Sequence, residues 1–193
     1  VMTLCHSRHQ YVEFVWDQTV ATWLGCHRRA FEWFAAVPRR LIIDNAKCAI
    51  VRACRHDPLV QRAYAECAEG YGFRIEPCPP ADPQKKGIVE SGVKYLKGNF
   101  LPTREFRDLT DLNAQVRIWV MQEAGRRMHG TTRIAPLASF EAERPFLQSL
   151  PPVAPDLGSW HRVTVHRDCH VQHARAYYSA PFRLVGQRLR VQG

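Results

Sequence analysis

Asp44 closes the apolar run Leu41-Ile42-Ile43 and is followed by Asn45, and Glu90 stands further along in Lys85-Lys86-Gly87-Ile88-Val89-Glu90. A carboxylate at the end of an apolar strand, with a second on a lysine-flanked helix, is a donor set for hard divalent cations. Two such ions about 3.5–4 Å apart can clamp the attacking and leaving oxygens of a phosphodiester. Mg²⁺, or Mn²⁺ in its place, suits such carboxylates because it keeps coordination positions for phosphate and water. The usual site needs a third carboxylate, which is hard to find here. Lys85, Lys86, Lys94 and Lys97 cluster beside Glu90, and lysines in that position neutralise phosphates without reading sequence. Lys47, just past Asp44, is a further phosphate contact by the same logic. Each feature also has a plain reading. Asp-Asn commonly ends a strand in a turn, Glu90 near a helix start could pair with Lys94 at i+4, and the lysines could be a solvated basic face.

Composition narrows the partner. The 193 residues carry a formal charge of +9 and are 46% hydrophobic, which describes a basic globular chain that favours a polyanion. Its seven cysteines are scattered without a C-x-x-C pair, which fits free thiols in a reducing cytoplasm better than disulfides or a closed zinc site. No apolar run approaches the roughly 18 residues of a membrane span, and no leader pattern opens the chain. His161, His166, His170 and His173 lie close together with Cys169. On alternating strands the 166/170 pair shares a face while 169 points away, and no carboxylate shell accompanies them, which argues against zinc. The five tryptophans read as core and interface residues, with Trp160 the one to test for base stacking.

Several elements must position these residues. Val1 to Leu4 and His9 to Val15 pattern as a hairpin. Asp17 or Thr19 can cap a helix over about 19–36, and Asp17 is read as that cap. Leu41 to Ile43 reads as a strand buried on both faces, and Pro58 opens a helix through Gly70 with a stop at Gly70/Gly72. Phe73 to Pro77 is a short strand, Gly87 to Phe100 a helix, and Asp108 starts another that ends near Gly125–His129. Residues 130–158 hold several prolines and read as a connecting arm. From Trp160 onward the pattern is all strand, as in a small barrel-like module.

In this order, Leu41-Ile42-Ile43-Asp44-Asn45, Pro83-Gln84-Lys85-Lys86-Gly87-Ile88-Val89-Glu90, His129-Gly130-Thr131-Thr132 with Pro136, and Tyr178-Ser179-Ala180-Pro181 with Gly186 resemble the DDE transposases and retroviral-type integrases. The likeness is closest to the IstA-type transposases of bacterial insertion sequences, and it spans almost the whole chain. It implies an α/β, ribonuclease H-like catalytic core with Asp44 and Glu90 as the second and third acidic residues. The first Asp of that fold lies on a strand ahead of the hairpin, so the resemblance implies a core lacking its first strand, in a chain that looks cut at both ends. The expected organisation is a partial core over 1–104, a helical, proline-rich arm over 105–158, and a small, truncated β-barrel over 159–193.

The implied activity is metal-dependent nicking and strand transfer in DNA transposition, with a two-metal Mg²⁺ or Mn²⁺ site and no protein nucleophile. The implied partners are transposon-end and target DNA, further copies of the chain on that DNA, and a separate helper ATPase, in a bacterial cytoplasm at the nucleoid and not in a membrane. The alternatives are a catalytically inactive DNA-binding or oligomerisation remnant, a helper-docking module, and a nuclease of the same fold that cuts RNA in hybrids.

Overall fold

Two short segments at the start of the chain form the expected hairpin, β1 (Met2–Thr3) and β2 (Gln10–Tyr11), antiparallel with Met2 opposite Tyr11. The computed structural model describes all residues except 45, 47, 53–58, 79–82, 159, 174 and 193, and at 51, 52, 59, 83–86, 103, 160 and 192 it describes the backbone. The hairpin stops short of Val15 because Asn113 captures the departing chain. The Phe14 N–H donates to Asn113 Oδ1 (2.8 Å), and Asn113 Nδ2 donates to the Phe14 carbonyl (3.0 Å).

Helix α1 (Val20–Phe34) is capped by Thr19, whose hydroxyl accepts from the Thr22 N–H. Asp17 is therefore not the cap itself. It accepts from the Thr19 N–H (3.0 Å) and hydroxyl (2.9 Å), and so fixes the capping residue. Strand β3 (Arg40–Ile43) follows, then an antiparallel pair β4 (Ile50–Arg52) and β5 (Leu59–Val60) that periodicity did not predict. Because β5 occupies Leu59–Val60, the next helix starts later than expected: α2 (Arg62–Tyr71) is capped by Gln61 and ends at Gly72, with φ of 74°. Strand β6 (Arg74–Pro77) runs parallel to β3, with Leu41 opposite Ile75.

Helix α3 (Pro83–Asn99) begins ahead of Gly87, since a proline in the first turn lacks only an N–H that would be unpaired there. Helix α4 (Leu109–Trp119) is capped by Asp108 and widens into a π turn over Val120–Ala124. The proline-rich arm contains a further helix, α5 (Pro136–Glu143), again with its proline in the first turn.

The core of residues 1–155 is aromatic. Leu4, Tyr11, Ala30, Phe34 and Phe140 join the hairpin, α1 and α5, while Val12, Leu96, Phe100, Val116 and Trp119 join α3 to α4. Phe31 packs edge-on against Tyr71 (4.8 Å between centroids) and Phe73 (5.5 Å), locking α1 to α2 and β6. The chain beyond α5 straps this assembly. Val37 and Gln148 exchange both backbone hydrogen bonds, and Arg28 Nη2 donates to the Pro155 carbonyl.

Residues 156–193 form a second compact unit. Here β7 (Trp160–Thr164) pairs antiparallel with β10 (Arg188–Gln192), and β8 (His170–His173) with β9 (Ala176–Ser179). Among the described residues these ladders do not close into a barrel, since so few short strands cannot meet the tilt and stagger that closure demands. The chain is thus a mixed α/β protein of small sheets.

Two core histidines make the fold sensitive to acid. His27 Nδ1 donates to the Trp23 carbonyl (2.9 Å), which leaves Nε2 to accept from the Tyr64 hydroxyl (3.2 Å). His9 Nε2 accepts from the Trp33 indole N–H (3.3 Å). Burial lowers both pKa values from 6.5 to about 4. The unfolded chain therefore takes up protons that the folded chain refuses, so this stabilisation is complete above pH 6.5 and is lost as pH falls toward 4. Urea denaturation should show a loss of about 2 kcal/mol per histidine between about pH 7 and 5, and equal stability at both pH values would contradict it. Phe31→Ala should cost about 3–5 kcal/mol in the same assay. Phe146→Ala, at a residue 76% exposed, should stay within about 0.5 kcal/mol.

Candidate functional site

A cleft of about 1430 Å³ lies between the hairpin, α1, β3 and α3. It is lined by the unbroken runs 1–6 and 38–44. Side chains alternate across a strand, so an unbroken lining means that an edge of the strand, not one face, borders the cleft. Among the described residues β1 pairs only with β2, and β3 only with β6. The Arg74 N–H donates to the Arg39 carbonyl (2.9 Å) and the Cys78 N–H to that of Ile43 (2.8 Å). This register turns the backbone groups of Arg40 and Ile42 away from β6, toward the open edge. Leu41 and Ile43 are buried, but Ile42 is 38% exposed, which corrects the expectation of a strand covered on both faces.

Asp44, at the end of β3, and Glu90, in α3, line this one cleft, and both are exposed. Lys94 and Lys97, on the following turns of α3, line it as well. The i,i+4 ion pairs among the described residues are Arg62–Glu66 and Arg107–Asp111, so Glu90 is not paired with Lys94. Lys85 and Lys86 lie in the first turns of α3. Lys47 falls outside the described residues.

Three other acids line the cleft: Glu13 and Glu143, which sequence reasoning missed, and Asp17, which it read as a helix cap. All are engaged. Glu13 pairs with Arg29 (2.8 Å) and accepts from the Tyr11 hydroxyl (2.9 Å). Burial works to raise the Glu13 pKa, but the Arg29 and Tyr11 hydrogen bonds outweigh it and hold the carboxyl down. Burial, followed by the Glu13 contacts, pushes Tyr11 up to about 12. Asp17 is held by Thr19, and Glu143 accepts from the Ser7 N–H (3.0 Å). The alternation of Tyr11 and Glu13 on one strand face was the signal available for the first of these. Asp44 and Glu90 remain, with no hydrogen bond or ion pair to any described residue.

This pair of hard oxygen donors matches Mg²⁺ or Mn²⁺ chemistry, though only in part. Among the described residues no group of three His, Cys, Asp or Glu could hold a metal ion. No helix among them is long and apolar enough to cross a membrane.

Comparison with known proteins gives a consistent picture. The family described as "Mu transposase, C-terminal domain" matches residues 150–193. A Mycobacterium tuberculosis protein named as a transposase is 38% identical over 98% of this chain and 47% of its own length. A transposase of a Bacteroides fragilis insertion sequence element named as IS21-like is 31% identical, over 93% of the chain and 35% of its own length. The Pseudomonas aeruginosa transposase for insertion sequence element IS21 is 29% identical, over 85% of the chain and 42% of its own length. The chain thus spans less than half the length of these relatives.

Proposed function

We propose, for a chain that belongs to the bacterial insertion-sequence transposases, that its cleft is the incomplete centre of a ribonuclease H-like DNA strand transferase. The observation that carries this reading is the convergence of Asp44 and Glu90, distant in sequence and without a hydrogen bond or ion pair among the described residues, on a cleft bordered by two strand edges unpaired among those residues. The open edges have the form of a vacancy for one further strand. A strand inserted there would bond to the backbone of β1 and β3, cover Ile42, and bring its own side chains beside Asp44. In this reading it comes from a part of the protein outside residues 1–193 and supplies the third carboxylate.

Asp44 and Glu90 would hold Mg²⁺ or Mn²⁺, which when bound supplies Lewis-acid polarisation of a phosphodiester. Lys94 and Lys97 neutralise the DNA strand running along α3, and Lys85, Lys86 and Lys47 are further phosphate contacts in this reading by their place in the sequence. Arg29 and Tyr11 keep Glu13 committed to the hairpin, so it does not compete for the cation. No side chain need form a covalent bond to DNA, because positioning and charge neutralisation supply the rate. The second unit adds Arg162, Arg167, Arg175, Arg183, Arg188 and Arg190 against Asp156 and Asp168, with Tyr177, Tyr178 and Phe182 exposed among them. Arginines and aromatics interleaved in this way suit a DNA surface. Further copies on paired DNA ends and a helper ATPase complete the proposed assembly in the bacterial cytoplasm.

Metal binding tests this reading without activity. Mn²⁺ should broaden the amide resonances around Asp44 and Glu90 first, and Asp44→Asn or Glu90→Gln should remove that selectivity. Uniform broadening in the parent chain would rule the pair out as ligands. In a longer transposase containing this segment, either substitution should lower strand transfer by at least a hundredfold, on the order of a lost charge-stabilising group, with DNA binding retained. Lys94→Glu with Lys97→Glu should instead weaken binding to all DNA sequences alike and flatten its dependence on salt, measured by fluorescence anisotropy across a salt series. Unchanged affinity would assign these lysines to solvent.

A further inference from the structure

On another side of α3 lies a smaller cleft of about 220 Å³, lined by Arg8, His9, Gly87, Ser91, Arg127, His129 and Thr131 among others. None of its lining residues is a carboxylate. Three of its buried donor atoms, Arg8 Nε, Arg127 Nε and His9 Nδ1, have no hydrogen-bond partner. His9 is 97% buried (3% exposed), and since its Nε2 accepts from Trp33, its Nδ1 carries the unmatched proton. A buried donor without an acceptor is costly, and the three side chains that carry these donors all border one small space.

The neighbouring groups have the same polarity. His129 Nδ1 accepts from the Thr132 N–H (3.3 Å), which leaves Nε2 as a donor. Burial, then the charges of Arg127 and Arg8, lower the His129 pKa, so both guanidinium groups act on its ring. Arg127 lies over the Tyr95 ring, with its guanidinium carbon 3.8 Å from the centroid, and is held in place by that contact. Ser91 and Thr131 add hydroxyls. A Cβ at Gly87 would have nothing within 4 Å, so α3 presents bare backbone there. Arg8 holds a left-handed backbone at φ of 64°, a conformation more natural to glycine or asparagine.

We infer that this cleft binds a phosphate group, with Arg8 and Arg127 as its charged donors and the His129-Thr131 turn as its neutral wall. Its volume equals that of about seven waters, enough for a phosphate and part of the attached sugar. Thr3 and Ile88 line both clefts, so a DNA strand lying across α3 can seat one backbone phosphate here while a neighbouring phosphodiester lies near Glu90. Assigning the anion to DNA rests on the strand-transferase reading. The cleft's demand for an anion does not.

The test uses the whole 193-residue chain and the Arg Nε–H resonances of Arg8 and Arg127, followed while inorganic phosphate replaces chloride at constant ionic strength. Both resonances should shift saturably. Arg8→Gly, which suits the left-handed backbone and should keep or raise Tm, should weaken phosphate binding by roughly tenfold or more. Arg8→Lys should restore part of that loss. Resonances that do not respond, or equal phosphate affinity in Arg8→Gly, would overturn the cleft as an anion site and leave the roles of Asp44 and Glu90 untouched. A short DNA duplex should displace phosphate from the parent chain. Failure to displace it would overturn the assignment to DNA and point to a free phosphate or nucleotide.

Discussion

Backbone groups at the edge of a strand must find partners, and in this protein the edges of β1 and β3 that border the large cleft have none among the described residues. That constraint orders everything around it. An edge cannot stay both buried and unpaired, so the fold keeps the space between these strands open. The open space in turn exposes Ile42 and leaves Asp44 at the mouth of the cleft. The neighbouring acids are already committed: Glu13 to Arg29 and Tyr11, Asp17 to the α1 cap, Glu143 to the hairpin turn. What is left is a pair of carboxylates, one just past a strand and one on a helix, beside the open edges of β1 and β3.

Helix α3 divides two electrostatic environments. The side bearing Glu90, Lys94 and Lys97 mixes acids with flexible cations. The side bearing Gly87 and Ser91 meets cationic and neutral side chains and no carboxylate, contributed by the hairpin turn and by the segment after α4. Successive residues such as Glu90 and Ser91 thus border different clefts, because a helix turns its side chains by about 100° at each step.

Much of this was legible in the chain. The apolar run ending in Asp44, the lysine-rich helix carrying Glu90, and the glycine stop after α2 are local signals, and each falls on the expected element. The short strands β4 and β5 left no periodic trace, since two or three residues cannot establish alternation. Helix α5 was hidden because prolines read as breakers, whereas Pro136 sits in a first turn, where no N–H is needed. The one-sided burial of β3 was invisible for a different reason. Ile42 is as apolar as its neighbours, and only what packs on each face of β3 tells them apart. The donor cleft draws on residues 8, 9, 91, 127, 129 and 131, and no spacing rule unites those positions.

The central claim is that the cleft between β1 and β3 is an unfilled strand position. Amide hydrogen exchange tests it directly, by comparing this chain with one extended upstream along the transposase sequence. The register predicts that the amides of Thr3 and Ile42, on the open edges, exchange freely in the 193-residue chain and become strongly protected in the longer one. Leu41, already bonded toward β6, should change little. Equal protection of Thr3 and Ile42 in both chains would contradict the account.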